Sequence, residues 1–254
     1  MKLRLLGCGT SSGVPRIGND WGACDPEEPR NRRTRCSALI ETDAVRILID
    51  TGPDMAGQLN AANVATVDAV IWTHDHADHT HGIDDLRQVA QAGGKPVDCY
   101  ARSATAAALV ARFEYVFRGG QGYRPVANMN VLPDDMGIRD VSMWTVDQPH
   151  GSITSAGLKF TSAGKTIVYS TDFHDLTSQM IEAFSGCDIW ILDALRDRPH
   201  PSHNHLELAL AHIERVKPKR AVLIHMDNSL DYHVLAARLP DGVEPGYDGM
   251  ELIP

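Results

Sequence analysis

Short apolar runs rich in β-branched residues recur along the chain at Leu39 to Glu41, Arg46 to Ile49, Ala69 to Thr73, Val141 to Val146, Thr166 to Ser170, Ile189 to Leu192 and Ala221 to Ile224, the pattern of strands. Between several of them, apolar positions spaced by three and four residues predict helices over Ser103 to Phe117, Leu176 to Phe184 and His205 to Val216. Two periods in one chain give a mixed α/β class. The Gly/Pro-rich stretches Gly7 to Gly22, Gly119 to Pro125 and Pro199 to Ser202 read as loops rather than linkers. With no linker and no internal repeat, residues 1–254 are read as a single domain.

The predicted strands stop at informative residues. Ala69 to Thr73 ends at His74, Met143 to Val146 leads through a turn to His150, Ile167 to Thr171 ends at Asp172, and Ala221 to Ile224 ends at His225. Strand ends in layered α/β folds carry active sites because the sheet is rigid while the following loop can aim a side chain.

Composition narrows the partners. A formal charge of −9, from 24 basic and 33 acidic side chains, repels a long polyanion such as DNA or tRNA but allows a small phosphorylated substrate. Five scattered cysteines without a C-x-x-C pair indicate reduced thiols. No signal-peptide core and no apolar run of ~20 residues occur, so a cytoplasmic protein without membrane attachment is expected. A homodimer is the usual assembly for such a chain.

The chemistry concentrates in His74-Asp75-His76-Ala77-Asp78-His79. A one-residue gap after a strand lets His74 and His76 converge on one cation while Asp78 and His79 address a neighbouring one. Neutral imidazole and carboxylate suit Zn²⁺, Mn²⁺ or Fe²⁺, and open positions on such ions support hydrolysis. A solvated histidine-rich turn is the bland alternative, but four ligand-type residues in six directly after a strand argue against it.

The segment His74-x-His76-x-Asp78-His79-x-x-Gly82 resembles the signature of the metallo-β-lactamase superfamily of dinuclear hydrolases, and the likeness extends over nearly the whole chain. The resemblance implies a four-layer αββα sandwich and two divalent cations. One would be held by His74, His76 and His150, the other by Asp78, His79 and His225, with Asp172 bridging and a hydroxide between them as nucleophile. Asp50, which ends Ile47-Leu48-Ile49-Asp50, would orient the cluster from outside the ligand set.

Leu6-Gly7-Cys8-Gly9-Thr10-Ser11-Ser12-Gly13-Val14-Pro15 and Gly246-Tyr247-Asp248-Gly249-Met250 resemble the N-terminal loop and closing strand of the PhnP-like cyclic-phosphate phosphodiesterases, and more loosely of ribonuclease Z. Ser202-His203-Asn204-His205-Leu206 resembles that branch's extra histidine motif. This implies that His203 contacts the substrate phosphate and protonates the leaving alkoxide, acting with Asp78 as a catalytic residue. The local alternative makes His203 a cap for the helix that begins near Asn204. Arg196 and Ser11 are further candidate substrate contacts, and His205 a candidate outer partner of the site. Only Cys24 stands where that branch clusters cysteines for a structural zinc, and Asn228 replaces its late histidine, so no third metal is expected.

The run Arg30, Arg32, Arg33 and Arg35 is either a phosphate clamp or a solvated loop balanced by Asp25, Glu27 and Glu28. No ligand role is assigned to His81, His174, His200, His212 or His233. The expected activity is cleavage of a small cyclic phosphate or nucleotide diester. A tRNA 3′-processing nuclease of the ribonuclease Z type ranks below it, because the Phe117 to Asn130 loop is short and the chain acidic. The same cluster could also serve a thioester or lactone hydrolase.

Overall fold

The computed structural model describes residues 1–120 and 122–254, so residue 121 of the Phe117 to Asn130 loop lies outside the described residues. The strands in chain order are β1 (Lys2–Gly7), β2 (Ser37–Glu41), β3 (Arg46–Ile49), β4 (Ala69–Ile71), β5 (Val97–Ala101), β6 (Ala127–Val131), β7 (Asp135–Ile138), β8 (Val141–His150), β9 (Ile153–Ser162), β10 (Lys165–Ser170), β11 (Ile189–Asp193), β12 (Arg220–Ile224), β13 (Val243–Pro245) and β14 (Glu251–Leu252). The helices are α1 (Met55–Ala61), α2 (Ala77–Thr80), α3 (Leu86–Gly93), α4 (Ser103–Arg112), α5 (Glu114–Arg118), α6 (Ser178–Phe184), α7 (Leu206–Val216) and α8 (Tyr232–Ala236).

The strands form two seven-stranded mixed sheets, ordered β14-β1-β2-β3-β4-β5-β6 and β13-β12-β11-β10-β9-β8-β7. Alternation along the central strands divides their side chains between two cores. Ala38, Ile40, Ile47, Ile49, Ala69 and Ile71 face the second sheet, while Leu39, Leu48, Val70 and Trp72 face α1 and α3 to α5. Met180 and Phe184 of α6 and Leu206, Ala209 and Val216 of α7 cover the second sheet, against residues such as Trp190. The result is the four-layer αββα sandwich of the metallo-β-lactamase type.

Some local expectations need correction. Ser103 to Phe117 is not one helix: Phe113 leaves helical geometry at φ −123°, ψ 44° and splits it into α4 and α5, while its ring packs edge-on against His81. Leu176 lies before α6, because Thr177 is the N-cap and accepts from the Met180 amide. Val141 to Val146 runs unbroken through His150 rather than turning first. Gly246 to Met250 is not a strand but the turn between β13 and β14. There Asp248 accepts from the Cys8 amide at 3.0 Å and from the Thr34 amide and hydroxyl at 2.7 and 2.6 Å, tying both chain ends together. Among the described residues no helix is long and apolar enough to cross a membrane.

Candidate metal centre

Seven side chains from five places in the sequence converge at one end of the two sheets. His74 follows β4, His76, Asp78 and His79 lie at and in α2, His150 ends β8, Asp172 follows β10 and His225 follows β12. Asp50, Asp172 and His225 adopt left-handed backbone at φ 61°, 53° and 57°. That conformation is uncommon for residues other than glycine and costs about 1–3 kcal/mol each; it turns the chain sharply as it leaves β3, β10 and β12. Two glycines let the motif loop approach β3. A Cβ on Gly82 would lie 2.0 Å from the Gly52 carbonyl oxygen, and one on Gly52 would lie 2.4 Å from the Asp78 carbonyl oxygen. The chain is instead stitched by Thr51 N–H to His79 O and Gly82 N–H to Thr51 O, each 2.8 Å.

The donor atoms fit a pair of cations. His150 Nε2 stands 3.2 Å from His76 Nδ1, and Asp172 Oδ2 lies 3.6 Å from His74 Nε2 and 3.7 Å from His150 Nε2. On the other side, Asp78 Oδ2 is 3.4 Å from His79 Nε2 and 3.5 Å from His225 Nε2. Asp172 Oδ1 is 3.4 Å from His79 Nε2 and 3.6 Å from His225 Nε2. Four ligands about 2.0–2.1 Å from a tetrahedral ion stand roughly 3.3 Å from one another, so both groups have the right size. Each faces a different oxygen of Asp172. Nε2 of His74, His79 and His225 is buried without a hydrogen-bond partner, a cost that a cation removes. His76 is exposed whereas the other histidines of the group are buried, so solvent reaches the cluster from its side.

The opposite faces of the rings are held. Asp50, fully buried, accepts from the Thr73 amide and hydroxyl at 2.8 Å each and bonds His79 Nδ1 at 2.7 Å. Thr73 Oγ1 also meets His74 Nδ1 at 3.0 Å, and the Ser202 carbonyl meets His150 Nδ1 at 2.9 Å. These contacts set the tautomers that leave Nε2 free for a ligand role. Burial depresses the His74 and His150 pKa values, which keeps both rings neutral. Burial would raise Asp172, but His225, His79 and His74 hold it well below the carboxylate range. His79 is raised despite its burial, because Asp172, Asp78 and Asp50 surround it.

His203 lies beside the cluster rather than capping α7, whose N-cap is His205. Its Nδ1 is 3.3 Å from Asp193 Oδ2 and 3.9 Å from Asp172 Oδ2. Asn204 fixes Asp193 from the other side through Nδ2 at 2.9 Å. His205 is half-buried at the helix start, with no hydrogen bond to the cluster. Ser11 is exposed on a turn just beyond the Gly9 to Met226 bridge, one residue past His225. Arg196 turns onto its own loop, bonding the carbonyls of Arg198 and Pro199.

The arginine run is structural in its contacts. Arg33 is buried and donates to the carbonyls of Asp227 and Leu230, with Cys24 Sγ 3.9 Å away. Arg30 pairs with Glu28 and stacks on Tyr232, Arg32 lies over Trp21, and Arg35 pairs with Asp54. Thr73, Ser202 and Asn204 are site partners that the sequence did not single out. Thr73 directly precedes the motif and could have been suspected; Ser202 and Asn204 flank His203 within the extra histidine motif, but nothing local gives either a role of its own. Arg112 was also missed: it grips Asp75 inside the motif through its carboxylate at 2.9 Å and its carbonyl at 2.7 Å.

Residues 45–226 match the Beta-lactamase superfamily domain. A solved structure described as a new diphosphatase from the PhnP family is 32% identical, covers 99% of this chain and 96% of its own, and superposes with a TM-score of 0.90. Zn²⁺-bound PqqB from Methylobacterium extorquens (17% identical, TM-score 0.79, all of both chains) and the short form of human tRNase Z (15%, TM-score 0.74, 100% and 99%) share the fold. A protein of Porphyromonas gingivalis named octanoyltransferase is 34% identical over 259 residues. The chain spans about half the length of that relative, 51%.

Proposed function

The chain belongs to the β-lactamase superfamily, and from that premise we propose that it is a two-metal hydrolase of a small phosphodiester, cyclic or nucleotide-derived. His74, His76 and His150 would hold one divalent cation and Asp78, His79 and His225 the other, with Asp172 shared. Bound there, the pair supplies Lewis-acid polarisation of a phosphoryl group and acidifies a water. The nitrogen and oxygen donor set suits Zn²⁺, Mn²⁺ or Fe²⁺.

The observation that carries the phosphodiester reading is the position of His203. Asp193 and Asn204 fix the ring beside Asp172. Burial lowers its pKa, but the Asp193 hydrogen bond and the charge of Asp172 outweigh that and raise it. With Nδ1 donating to Asp193, Nε2 has no protein partner among the described residues. It is the atom available to bind a phosphoryl oxygen and pass a proton to a departing alkoxide. The diphosphatase relative, similar along nearly the whole chain, supports the same substrate class. The octanoyltransferase name describes a protein twice as long. Acyl transfer through a cysteine thioester finds no exposed thiol, since Cys8, Cys24, Cys36, Cys99 and Cys187 are all buried.

The test is a panel on metal-loaded protein. Bis-p-nitrophenyl phosphate should be hydrolysed in preference to thioesters and lactones, and His203→Ala should lose about 10²–10⁴-fold in rate while keeping its metal. A preferred carbonyl substrate, or a fully active His203→Ala protein, refutes the reading.

A further inference from the structure

β9 supplies no ligand, yet two of its residues reach the metal centre from behind. Ser155 is buried and lies directly opposite Gln148 in the β8–β9 ladder. Gln148 Nε2 donates to the Ser155 hydroxyl oxygen at 3.0 Å and to the Thr171 carbonyl at 3.2 Å. A carbonyl oxygen only accepts, so the NH₂ of the amide is the end that faces Thr171. Ser155 Oγ in turn donates to the Asp172 carbonyl at 2.8 Å. The Ser170 hydroxyl completes the set by donating to Gln148 Oε1. Next along the strand, the Ala156 amide donates at 2.8 Å to the carbonyl of Thr73, the residue before His74.

Gln148, Ser155 and Ser170 are at most 1% exposed, so water offers no substitute for a lost partner. Gly157 makes room for the Gln148 amide, since a Cβ there would stand 2.5 Å from Gln148 Oε1. The network acts on one backbone position. The carbonyls of Thr171 and Asp172 belong to the two peptide planes on either side of the Asp172 Cα, and the orientation of those planes defines φ and ψ of that residue. Asp172 is left-handed at φ 53°, a conformation that persists only where its surroundings over-determine it. Its carboxylate accepts from the Thr171 hydroxyl at 2.5 Å. It presents Oδ2 to His74 and His150, and Oδ1 to His79 and His225.

We propose that Gln148 and Ser155 are positioning residues for the bridging carboxylate: they lock the two peptides around Asp172 so that its oxygens divide between the two cation positions. Neither touches a cation or the substrate. This rests on the two-metal reading and adds to it the device that keeps the shared ligand in place. Because Asp172 faces both groups of donors, loosening its backbone weakens both cations together.

The experiment titrates Zn²⁺ into metal-free wild type, Ser155→Ala, Ser155→Thr, Gln148→Met and Ser162→Ala in competition with a chromogenic chelator, with denaturant unfolding of each metal-free protein alongside. Ser155→Ala and Gln148→Met, the second of which keeps the side-chain length, should each weaken both binding steps by about 10–100-fold, the range for an outer partner of a metal ligand. Ser155→Thr, which restores the hydroxyl, should recover part of the loss. Ser162 is a buried serine seven residues further along β9 and about 23 Å away, and Ser162→Ala should bind as the wild type does. Affinities within about twofold of wild type in a folded Ser155→Ala or Gln148→Met protein, a loss confined to one of the two steps, or an equal loss in Ser162→Ala overturn this inference alone. A wild type that binds fewer than two cations at saturation overturns it together with the two-metal reading.

Discussion

Asp50→Asn removes one negative charge and changes almost no volume, so it isolates what the buried carboxylate does. In the wild type one oxygen accepts from the Thr73 amide, and the other from the Thr73 hydroxyl and His79 Nδ1. An amide cannot accept at both places. If its NH₂ faces His79, the His79 proton must move to Nε2, the atom that stands 3.4 Å from both Asp78 and Asp172; a protonated nitrogen cannot bind a cation. If the amide turns round, its NH₂ meets the Thr73 N–H in a fully buried place, where an unsatisfied donor costs about 1–3 kcal/mol. Loss of such an outer partner weakens metal binding about 10–100-fold, or roughly 1.4–2.7 kcal/mol, and the forced tautomer places Asp50→Asn toward the upper end. The assay is competition for Zn²⁺ against a chromogenic chelator, with thermal unfolding of the metal-free protein as control. An affinity within about twofold of wild type, in a folded variant, refutes the claim that Asp50 sets the His79 tautomer.

Two further outcomes follow from the packing. Gly82→Ala puts a methyl 2.0 Å from the Gly52 carbonyl oxygen, so metal-free stability should fall by about 1–3 kcal/mol and metal affinity with it; a fully stable, metal-replete variant contradicts the close approach. Burial raises the Asp248 carboxyl from 3.8 to about 6, beyond what its hydrogen bonds from Thr34 and Cys8 recover. The folded state therefore holds that proton more tightly than the unfolded chain, and the associated stability is complete below about pH 4 and lost as pH rises through about 6. Denaturant unfolding of metal-free wild type and Asp248→Asn should show their difference shifting by about 3 kcal/mol across this window; a constant offset contradicts it.

The strands that carry the ligands were legible because burial on both faces leaves uninterrupted apolar runs, as in Ile47 to Ile49 and Val222 to Ile224. β9 was not, since Ser155 and Gly157 interrupt it; both are dictated by neighbours, as a Cβ on Gly157 would meet Gln148 and Phe184. β6 is a sheet edge with exposed polar positions at Asn128 and Asn130, which removes the apolar signal. At the site, residue types and strand ends were readable locally. The hold of Asp193 on His203 and Asn204, and of Ser202 on His150, depends on a loop conformation that no periodicity encodes.

The most direct measurement is an anomalous difference map from a crystal of metal-loaded protein, recorded at the absorption edge of the bound ion. Two peaks are expected, one among His74, His76 and His150 and one among Asp78, His79 and His225, with a carboxylate oxygen of Asp172 touching each. No peak there, or a single ion that leaves one histidine group unligated at saturating metal, contradicts the two-cation centre.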